Sequence, residues 1–301
     1  MHLLFVLALA SCGSDERSLK RPNDVVLSPD GRVFVSDLHH KRIVVFDAEG
    51  RWVDGIGTPG LGKGQLWDPW ELVFVPPDRL VVIQERYETM IGSESYWEVK
   101  EFDEGQEVVA KRLVWEGGRD VAWVESLARA PDGNWWIPDT DRGHVLSFAP
   151  DWTYLGAGFG LEEEGEMLSP TDVQWDGANV WVVEQKRHRL HRYDRAGERK
   201  VSFGELGAGA GQMSFPMSLG VCPGEWVAVA DYGNHRVQRF DLQGQLIDGF
   251  SPAPVGPDAP VQLMALDVSS DCERLYLVDS KGCRVLVTRP TGEVLQVLST
   301  W

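Results

Sequence analysis

A repeated unit of about fifty residues limits what this chain can fold into more than any other feature. The clearest copy, residues 215–250, contains four short apolar stretches separated by Gly, Pro, Asn and Asp. Stretches of this length between such breakers predict an antiparallel meander of four strands. One sheet of this kind cannot bury both of its faces, so it needs neighbouring copies of itself.

Six copies can be aligned on a polar residue that ends the second predicted strand, and we call this residue the anchor. The anchors are Asp37, Gln84, Asp139, Glu184, Asp231 and Asp279. Successive anchors are 45 to 55 residues apart. A period near fifty with four strands in each unit is typical of a propeller. The sequence therefore predicts an all-β fold, a six-bladed β-propeller of four-stranded antiparallel blades.

A basic residue stands five positions after most anchors. These residues are Arg42, His144, Arg189, Arg236 and Arg284. Because the pattern recurs in five copies, we expect a structural role, in which Asp37 with Arg42 and Asp231 with Arg236 brace a hairpin turn. The second copy departs from the pattern through a polar extension at residues 86–96, either a binding arm or a loose loop.

The fifth copy resembles a known repeat. Its residues 231–244 read DYGNHRVQRFDLQG, and glycine-rich linkers, one with Phe203-Gly204, connect the copies. This pattern resembles the NHL repeat, and the resemblance covers about residues 19–301, most weakly in the second copy. It implies a six-bladed scaffold and does not specify an activity. Similar proteins include RNA-binding domains, protein-interaction modules, a zinc lyase and, more distantly, metal-dependent lactonases.

The charge of the chain narrows the range of partners. The formal net charge is −17, whereas binding to nucleic acid depends on Lys and Arg that neutralise phosphates. The same acidity disfavours contact with anionic membrane surfaces. We therefore expect no nucleic-acid partner, and we attribute most of the charge to solubility.

The first residues resemble a bacterial lipoprotein signal. Residues 3–10 form an apolar run that is too short to span a bilayer. Residues 9–12, Leu-Ala-Ser-Cys, resemble a lipobox, which implies lipid attachment at Cys12, although residues 1–2 lack Lys and Arg. We expect a signal peptide at 1–11, a tether at 12–18 and the propeller at 19–301. The alternatives are an ordinary signal peptide or a misplaced start codon.

The lipobox-like residues and the cysteines bear on the cellular location of the protein. Residue 13 is Gly rather than Asp, so the expected location is the bacterial cell envelope, with the outer membrane favoured and the lipid as the only membrane contact. Cys222 and Cys272 fall in equivalent turns of neighbouring copies. They could form a disulfide in an oxidising compartment, or they could be buried or free thiols.

The candidate site lies at the mouth of the central channel, where the innermost strands begin. Alignment of the copies places polar residues there: Asp24, Glu71, Ser126, Asp172 and Ser218, with Met264 in the sixth copy. Three clustered carboxylates, Asp24, Glu71 and Asp172, could hold a divalent cation such as calcium. The alternative is that these side chains accept hydrogen bonds from nearby backbone amides. Trp67 and Trp70 flank Pro69 at the same mouth and suit sugars or cationic ligands.

Two functions fit these features. The leading hypothesis is an exported, lipid-anchored and monomeric binding or scaffold module, without a cofactor, whose ligand is a protein, a peptide or a glycan. The alternative is a lactonase-like hydrolase with a cation at the channel mouth, although Pro22-Asn23-Asp24 stands where that family has Glu-Gly-Pro. We expect no zinc centre, because the turn histidines of separate blades would lie too far apart to share one ion.

Overall fold

A computed structural model describes residues 18–87, 95–114, 118–159, 169–253 and 260–299. It contains six sheets of four antiparallel strands, which confirms the six-bladed prediction. Blade one comprises β1 (Pro22–Leu27), β2 (Val33–Asp37), β3 (Arg42–Phe46) and β4 (Trp52–Ile56), and the following linker holds β5 (Thr58–Pro59) and β6 (Gln65–Leu66). Blade two comprises β7 (Asp68–Val75), β8 (Arg79–Tyr87), β9 (Ser95–Asp103) and β10 (Gln106–Arg112). Blade three comprises β11 (Ala128–Arg129), β12 (Trp135–Asp139), β13 (His144–Phe148) and β14 (Tyr154–Phe159).

The remaining blades repeat the same order. Blade four comprises β15 (Pro170–Trp175), β16 (Val180–Glu184), β17 (Arg189–Tyr193) and β18 (Arg199–Phe203). Blade five comprises β19 (Pro216–Cys222), β20 (Trp226–Asp231), β21 (Arg236–Asp241) and β22 (Leu246–Phe250). Blade six comprises β23 (Leu263–Val268), β24 (Leu275–Asp279), β25 (Arg284–Thr288) and β26 (Val294–Leu298). First strands contact each other between blades one and two and from blade three through blade six to blade one, so these strands surround the axis.

The hydrophobic core lies between the blades. The described residues form six buried clusters, and each cluster packs the facing sides of two neighbouring blades. Alternation of apolar residues along each strand supplies both faces of every sheet, which is why one blade alone cannot be stable. One cluster contains Leu19, Val25 and Leu298 and joins blade six to blade one. The ring is therefore closed by side-chain packing.

The start of the described chain adds to this closure. Among the described residues, no strand that precedes blade two belongs to the four-stranded sheet of blade six. The amide of Leu19 nevertheless donates a hydrogen bond to the carbonyl of Ser299 at 3.0 Å, and the Leu19 side chain is fully buried. The segment before β1 thus fixes the end of the chain to its beginning.

The anchors are buried at the turn between the second and third strands. Arg42, Arg236 and Arg284 each donate from Nε to the anchor carboxylate five residues earlier, at 2.8–3.1 Å, as predicted. In blades three and four an arginine three residues after the anchor, Arg142 or Arg187, makes an ion pair. The residue four positions after the anchor has positive φ in five blades: Lys41, Gly143, His188, His235 and Cys283.

The anchors also hold the linkers that lead into five of the blades. The amides of Lys20, Trp67, Ala122, Ser214 and Gln262 donate to the anchor side chain 17 residues later. The four aspartate anchors therefore satisfy a linker amide and an arginine side chain at once, which explains why a buried polar residue recurs at this position.

Blade two carries a longer hairpin than the other blades. β8 and β9 stay paired as far as Tyr87 and Ser95, so the extension predicted at residues 86–96 begins as a continuous hairpin. Residues 88–94 lie outside the described part. At its base, Arg86 donates to Glu98 and to the carbonyl of Leu61, both at 2.6 Å.

A disulfide joins Cys222 at the end of β19 to Cys272 in the β23–β24 turn, with 5.6 Å between the two Cα atoms. It links blades five and six on the face opposite the anchors. Among the described residues, no helix has both the length and the apolar character needed to cross a membrane. The predicted signal peptide and the lipid-attachment residue Cys12 lie outside the described residues.

Candidate functional site

Six side chains, one from each blade, surround the axis in the first strands, and we call them the inner ring. They are Asp24, Glu71, Ser126, Asp172, Ser218 and Asp267, all buried or nearly so. All but Ser126 line a cavity of about 250 Å³ along the axis. The structure therefore brings together the five polar residues that the sequence placed at the channel mouth.

The inner ring holds neighbouring blades together. A first strand has one unpaired edge, and its N–H groups need acceptors. Oδ2 of Asp24 accepts from Leu72 N, and Oδ2 of Asp172 accepts from Leu219 N, both at 2.7 Å. Each donor belongs to the next blade, 47 or 48 residues further along the chain. The hypothesis that these residues accept backbone amides is thus supported, with the amides located across the blade interface.

The serines of the inner ring act in the same way. Ser126 Oγ accepts from Val173 N at 3.5 Å, and Ser218 Oγ accepts from Leu266 N at 3.2 Å. Ser126 also donates to Asp172 Oδ1 at 2.6 Å. Blades three to six are therefore connected through hydroxyl and carboxylate oxygens at the axis.

Asp267 is the member that the sequence prediction missed. Strand register makes Ala265 the equivalent of Asp24, since Leu263 and Leu266 pair as Pro22 and Val25 do. The prediction of Met264 is wrong by one residue, because the β23–β24 turn that carries Cys272 is longer than its counterparts. Ala265 has no side-chain acceptor, and Asp267, two residues further along β23, takes this role. Its Oδ2 accepts from Leu27 N of blade one at 3.1 Å. The signal in the sequence that could have identified Asp267 is an acidic residue between two apolar ones, Leu266 and Val268.

Burial raises the pKa of every carboxyl in the inner ring, and repulsion by neighbouring carboxyls adds to this at Asp24, Glu71 and Asp267. Burial raises the pKa of Asp24 and of Glu71 well above the usual range, and charges on neighbouring inner-ring carboxyls add to the effect. Burial also raises the pKa of Asp172. The pKa of Asp267 is raised to about 6, by burial and by Asp172. The ring thus favours bound protons, or a bound cation, over bare charge.

We expect stability to rise as pH falls from 7 to 5. A carboxyl with a raised folded-state pKa binds its proton more tightly in the folded state, so stability decreases as pH rises between about 4 and 6. For Asp267 alone the gain from pH 7 to pH 5 is about 1.4 kcal/mol. Calorimetry at both pH values measures it.

The control for this prediction is Asp267→Asn, which removes one titrating group. His39, whose pKa is lowered mainly by burial, acts in the opposite direction in both proteins. The difference in melting temperature between pH 5 and pH 7 should therefore shrink in the variant. An unchanged difference would show that Asp267 does not titrate in this range.

The two tryptophans nominated from the sequence lie beside the ring. The ring of Trp67 is covered by Lys41, whose Nζ lies 3.4 Å from the ring centroid. Trp70 packs edge-to-face with Trp97 and Trp123, at centroid distances of 6.5 and 5.8 Å. Both are half-buried, and neither lines the axial cavity. The contacts of Trp70 pack blade two against the linker into blade three. The contact of Trp67 with Lys41 packs the linker before blade two against a turn of blade one.

The turn histidines have local partners. His40 Nδ1 lies 2.8 Å from Asp37, His188 Nδ1 accepts from Phe215 N at 3.0 Å, and His235 Nδ1 lies 3.0 Å from the carbonyl of Val261. The contact of His40 lies within one hairpin turn, whereas those of His188 and His235 fix hairpin turns to the following linkers. Within the described ranges, no group of three His, Cys, Asp or Glu side chains is arranged to hold a metal ion.

Comparison with known families and proteins gives two sequence matches. The NHL repeat model matches residues 19–46, which include β1–β3. Protein brain tumor of Drosophila melanogaster is 26% identical over 136 residues, which are 44% of this chain and 12% of that protein. The chain therefore spans about an eighth of the length of this relative.

Solved structures resemble this chain over most of its length. A protein of unknown function from Bacteroides thetaiotaomicron has a TM-score of 0.65 at 13% identity, covering 92% of this chain and 72% of its own. Virginiamycin B lyase from Staphylococcus aureus has a TM-score of 0.58 at 11% identity, covering 95% and 86%. At these identities the likeness extends to the fold alone. The chain is thus similar to the NHL repeat in its first blade and to the folds of these solved structures over more than nine-tenths of its length.

Proposed function

We propose that this protein is a non-catalytic binding module that receives a segment of a protein or peptide at its axial channel. The observation that carries the proposal is the cavity itself. It is lined by residues from all six blades, among them the carboxyls of the inner ring and the apolar side chains Val26, Val73 and Leu127. A preformed concave site with apolar walls and a few convergent polar groups is the usual form of a ligand site.

The inner-ring contacts favour binding over hydrolysis. One oxygen of each of Asp24, Asp172 and Asp267 accepts a hydrogen bond from a backbone amide of a neighbouring blade. These carboxyls therefore act as parts of the scaffold. A rigid site lowers the ordering cost of association. The resemblance to NHL repeats, which include protein-interaction modules, favours a protein or peptide over a glycan.

Site-specific photocrosslinking in the native host tests the proposal. A photoreactive residue at Phe74 or Arg129, which line the cavity, is expected to capture a peptide or protein. The same residue at Val53, exposed on β4, is the matched control on the outer edge. Equal capture at all three positions would contradict a channel site, and capture of a glycan would change the ligand class.

The hydrolase alternative predicts a different outcome. Millimolar calcium chloride should raise the melting temperature and support turnover of lactones if a cation at Asp24, Glu71 and Asp172 activates water. The binding proposal predicts neither effect.

We also propose that the mature protein is exported and attached to lipid through Cys12, with the outer membrane as the favoured destination. Support comes from the lipobox-like residues 9–12 and from the Cys222–Cys272 disulfide, since disulfides persist in oxidising compartments. Metabolic labelling with a fatty-acid analogue should mark the wild type and not Cys12→Ser. Equal labelling of both proteins would contradict the anchor.

A further inference from the structure

We propose that blade six rests its outermost strand, β26, on the lipid bilayer to which Cys12 is attached. The partner of this surface is the neutral interfacial region of a phospholipid membrane. The inference rests on the proposed lipid anchor. It adds a protein surface to the lipid, which the sequence alone predicted to be the only membrane contact.

The first argument concerns the point at which the tether joins the fold. Ser18 is 7% exposed and Leu19 is fully buried, and the amide of Leu19 donates to the carbonyl of Ser299 at 3.0 Å. Ser299 directly follows the last residue of β26. The propeller therefore begins at a fixed point beside the end of this strand.

The second argument concerns distance. Ser18 is the sixth residue after Cys12, and a fully extended chain spans at most about 3.6 Å per residue, so covalent geometry keeps the two within roughly 22 Å of each other. A strand as short as β26 is about 17 Å long. An anchor at Cys12 thus holds the outer edge of blade six close to the membrane surface.

The third argument concerns the composition of the outer strands. Free sheet edges are usually protected by charged side chains or by breaks in the regular backbone. Each of β4, β10, β18 and β22 contains a charged residue, and β14 contains two glycines. β26 reads Val-Leu-Gln-Val-Leu and contains neither. In the described sheets it pairs with β25 alone, so its other edge is unprotected.

The fourth argument concerns the side chains that β26 exposes. Val294, Leu295 and Val297 are 42%, 42% and 46% exposed. The ion pair at the start of the strand, between Arg289 and Glu293 at 2.7 Å, balances its own charge. An uncharged aliphatic strip suits the neutral interface of a bilayer, whereas the net charge of −17 disfavours an anionic surface.

The anchor makes this contact intramolecular, so a small apolar area is sufficient to maintain it. In a propeller the outermost strands form the rim of the ring, farthest from the axis. Contact through β26 therefore places the axis parallel to the membrane plane. In that orientation both ends of the axial channel stay open to solvent.

Quenching by brominated lipid tests the proposal. The full-length lipidated protein, in phosphatidylcholine vesicles, carries a fluorescent amino acid at Val297 or, as the control, at Leu155. Leu155 is 54% exposed on β14, in the blade opposite blade six. We expect brominated phosphatidylcholine to quench the probe at Val297 at least threefold more strongly than the probe at Leu155. Equal quenching at the two positions would overturn the proposal.

Variants separate the role of the side chains from that of the tether. With the probe kept at Val297, Val294→Asn with Leu295→Asn should lower quenching to the level of the Leu155 control. Val108→Asn with Leu206→Asn, at exposed positions outside blade six, should leave quenching unchanged. Because all four positions are exposed, the fold is kept. Quenching that persists in the first variant would show that the apolar strip does not make the contact.

Two further outcomes identify what fails. A mature protein without lipid on Cys12 overturns the anchor and this inference together, whereas lipid on Cys12 with no quenching at Val297 overturns this inference alone. Energy transfer between copies that carry donor and acceptor probes at Val297, without quenching by lipid, would assign β26 to contact with a second copy and overturn the bilayer contact. Each outcome leaves the proposed channel ligand to the crosslinking experiment.

Discussion

Replacement of Asp231 by alanine is expected to lower the free energy of unfolding by about 3–5 kcal/mol. The Asp231 carboxylate is fully buried and accepts from Ser214 N at 2.7 Å and from Arg236 Nε at 2.8 Å. Its loss removes the acceptor of a linker amide and the counter-charge of a guanidinium that is only 18% exposed. Removal of one partner of a buried pair leaves an uncompensated charge, which is why the cost is large.

Asp248→Ala is the control in the same blade. Asp248 pairs with Arg239, but its side chain is 40% exposed, so the expected loss is about 0–1 kcal/mol. Urea denaturation measures both variants. Similar losses for Asp231→Ala and Asp248→Ala would show that the anchor does not hold the linker in the way we describe.

Removal of the Cys222–Cys272 disulfide is expected to cost about 4 kcal/mol in the chain-entropy model. The bond closes a loop with a sequence separation of 50 residues and joins two blades. Without it, the unfolded chain gains conformational freedom, and blades five and six lose the covalent bond between them. Denaturation of the Cys222→Ala, Cys272→Ala protein under non-reducing conditions measures the loss.

Packing at Cys222 needs its own control, because this residue is 1% exposed and belongs to the core between blades five and six. The Cys222→Val, Cys272→Ala protein refills that volume. A loss that persists in it belongs to the cross-link. A loss below about 1 kcal/mol in both proteins would mean that the disulfide contributes little to global stability.

The fold could be predicted because its signals are local and repeated. Breakers, strand-length apolar runs and the anchors recur at one period, so six copies reinforce one interpretation. The anchor ion pairs of Asp37, Asp231 and Asp279 also follow from short spacing. The register between the second and third strands then follows, because each anchor pairs with the residue five positions later.

The site could be predicted only in part. Counting two positions past the proline that precedes a first strand found Asp24, Glu71 and Asp172, but their partners are amides 47 or 48 residues away or side chains of other blades, and no local pattern marks them. The alignment of the copies failed at Met264 because one longer turn shifts the register. It missed Asp267 because this residue belongs to a different strand position, which only ring closure against Leu27 reveals.

A crystal structure of the protein with the partner captured by photocrosslinking tests the central claim most directly, since it locates the bound segment. We predict a segment of the partner in the axial cavity, in contact with Val26, Val73 and Leu127. A partner bound elsewhere on the surface, with the axial cavity empty, would contradict the claim.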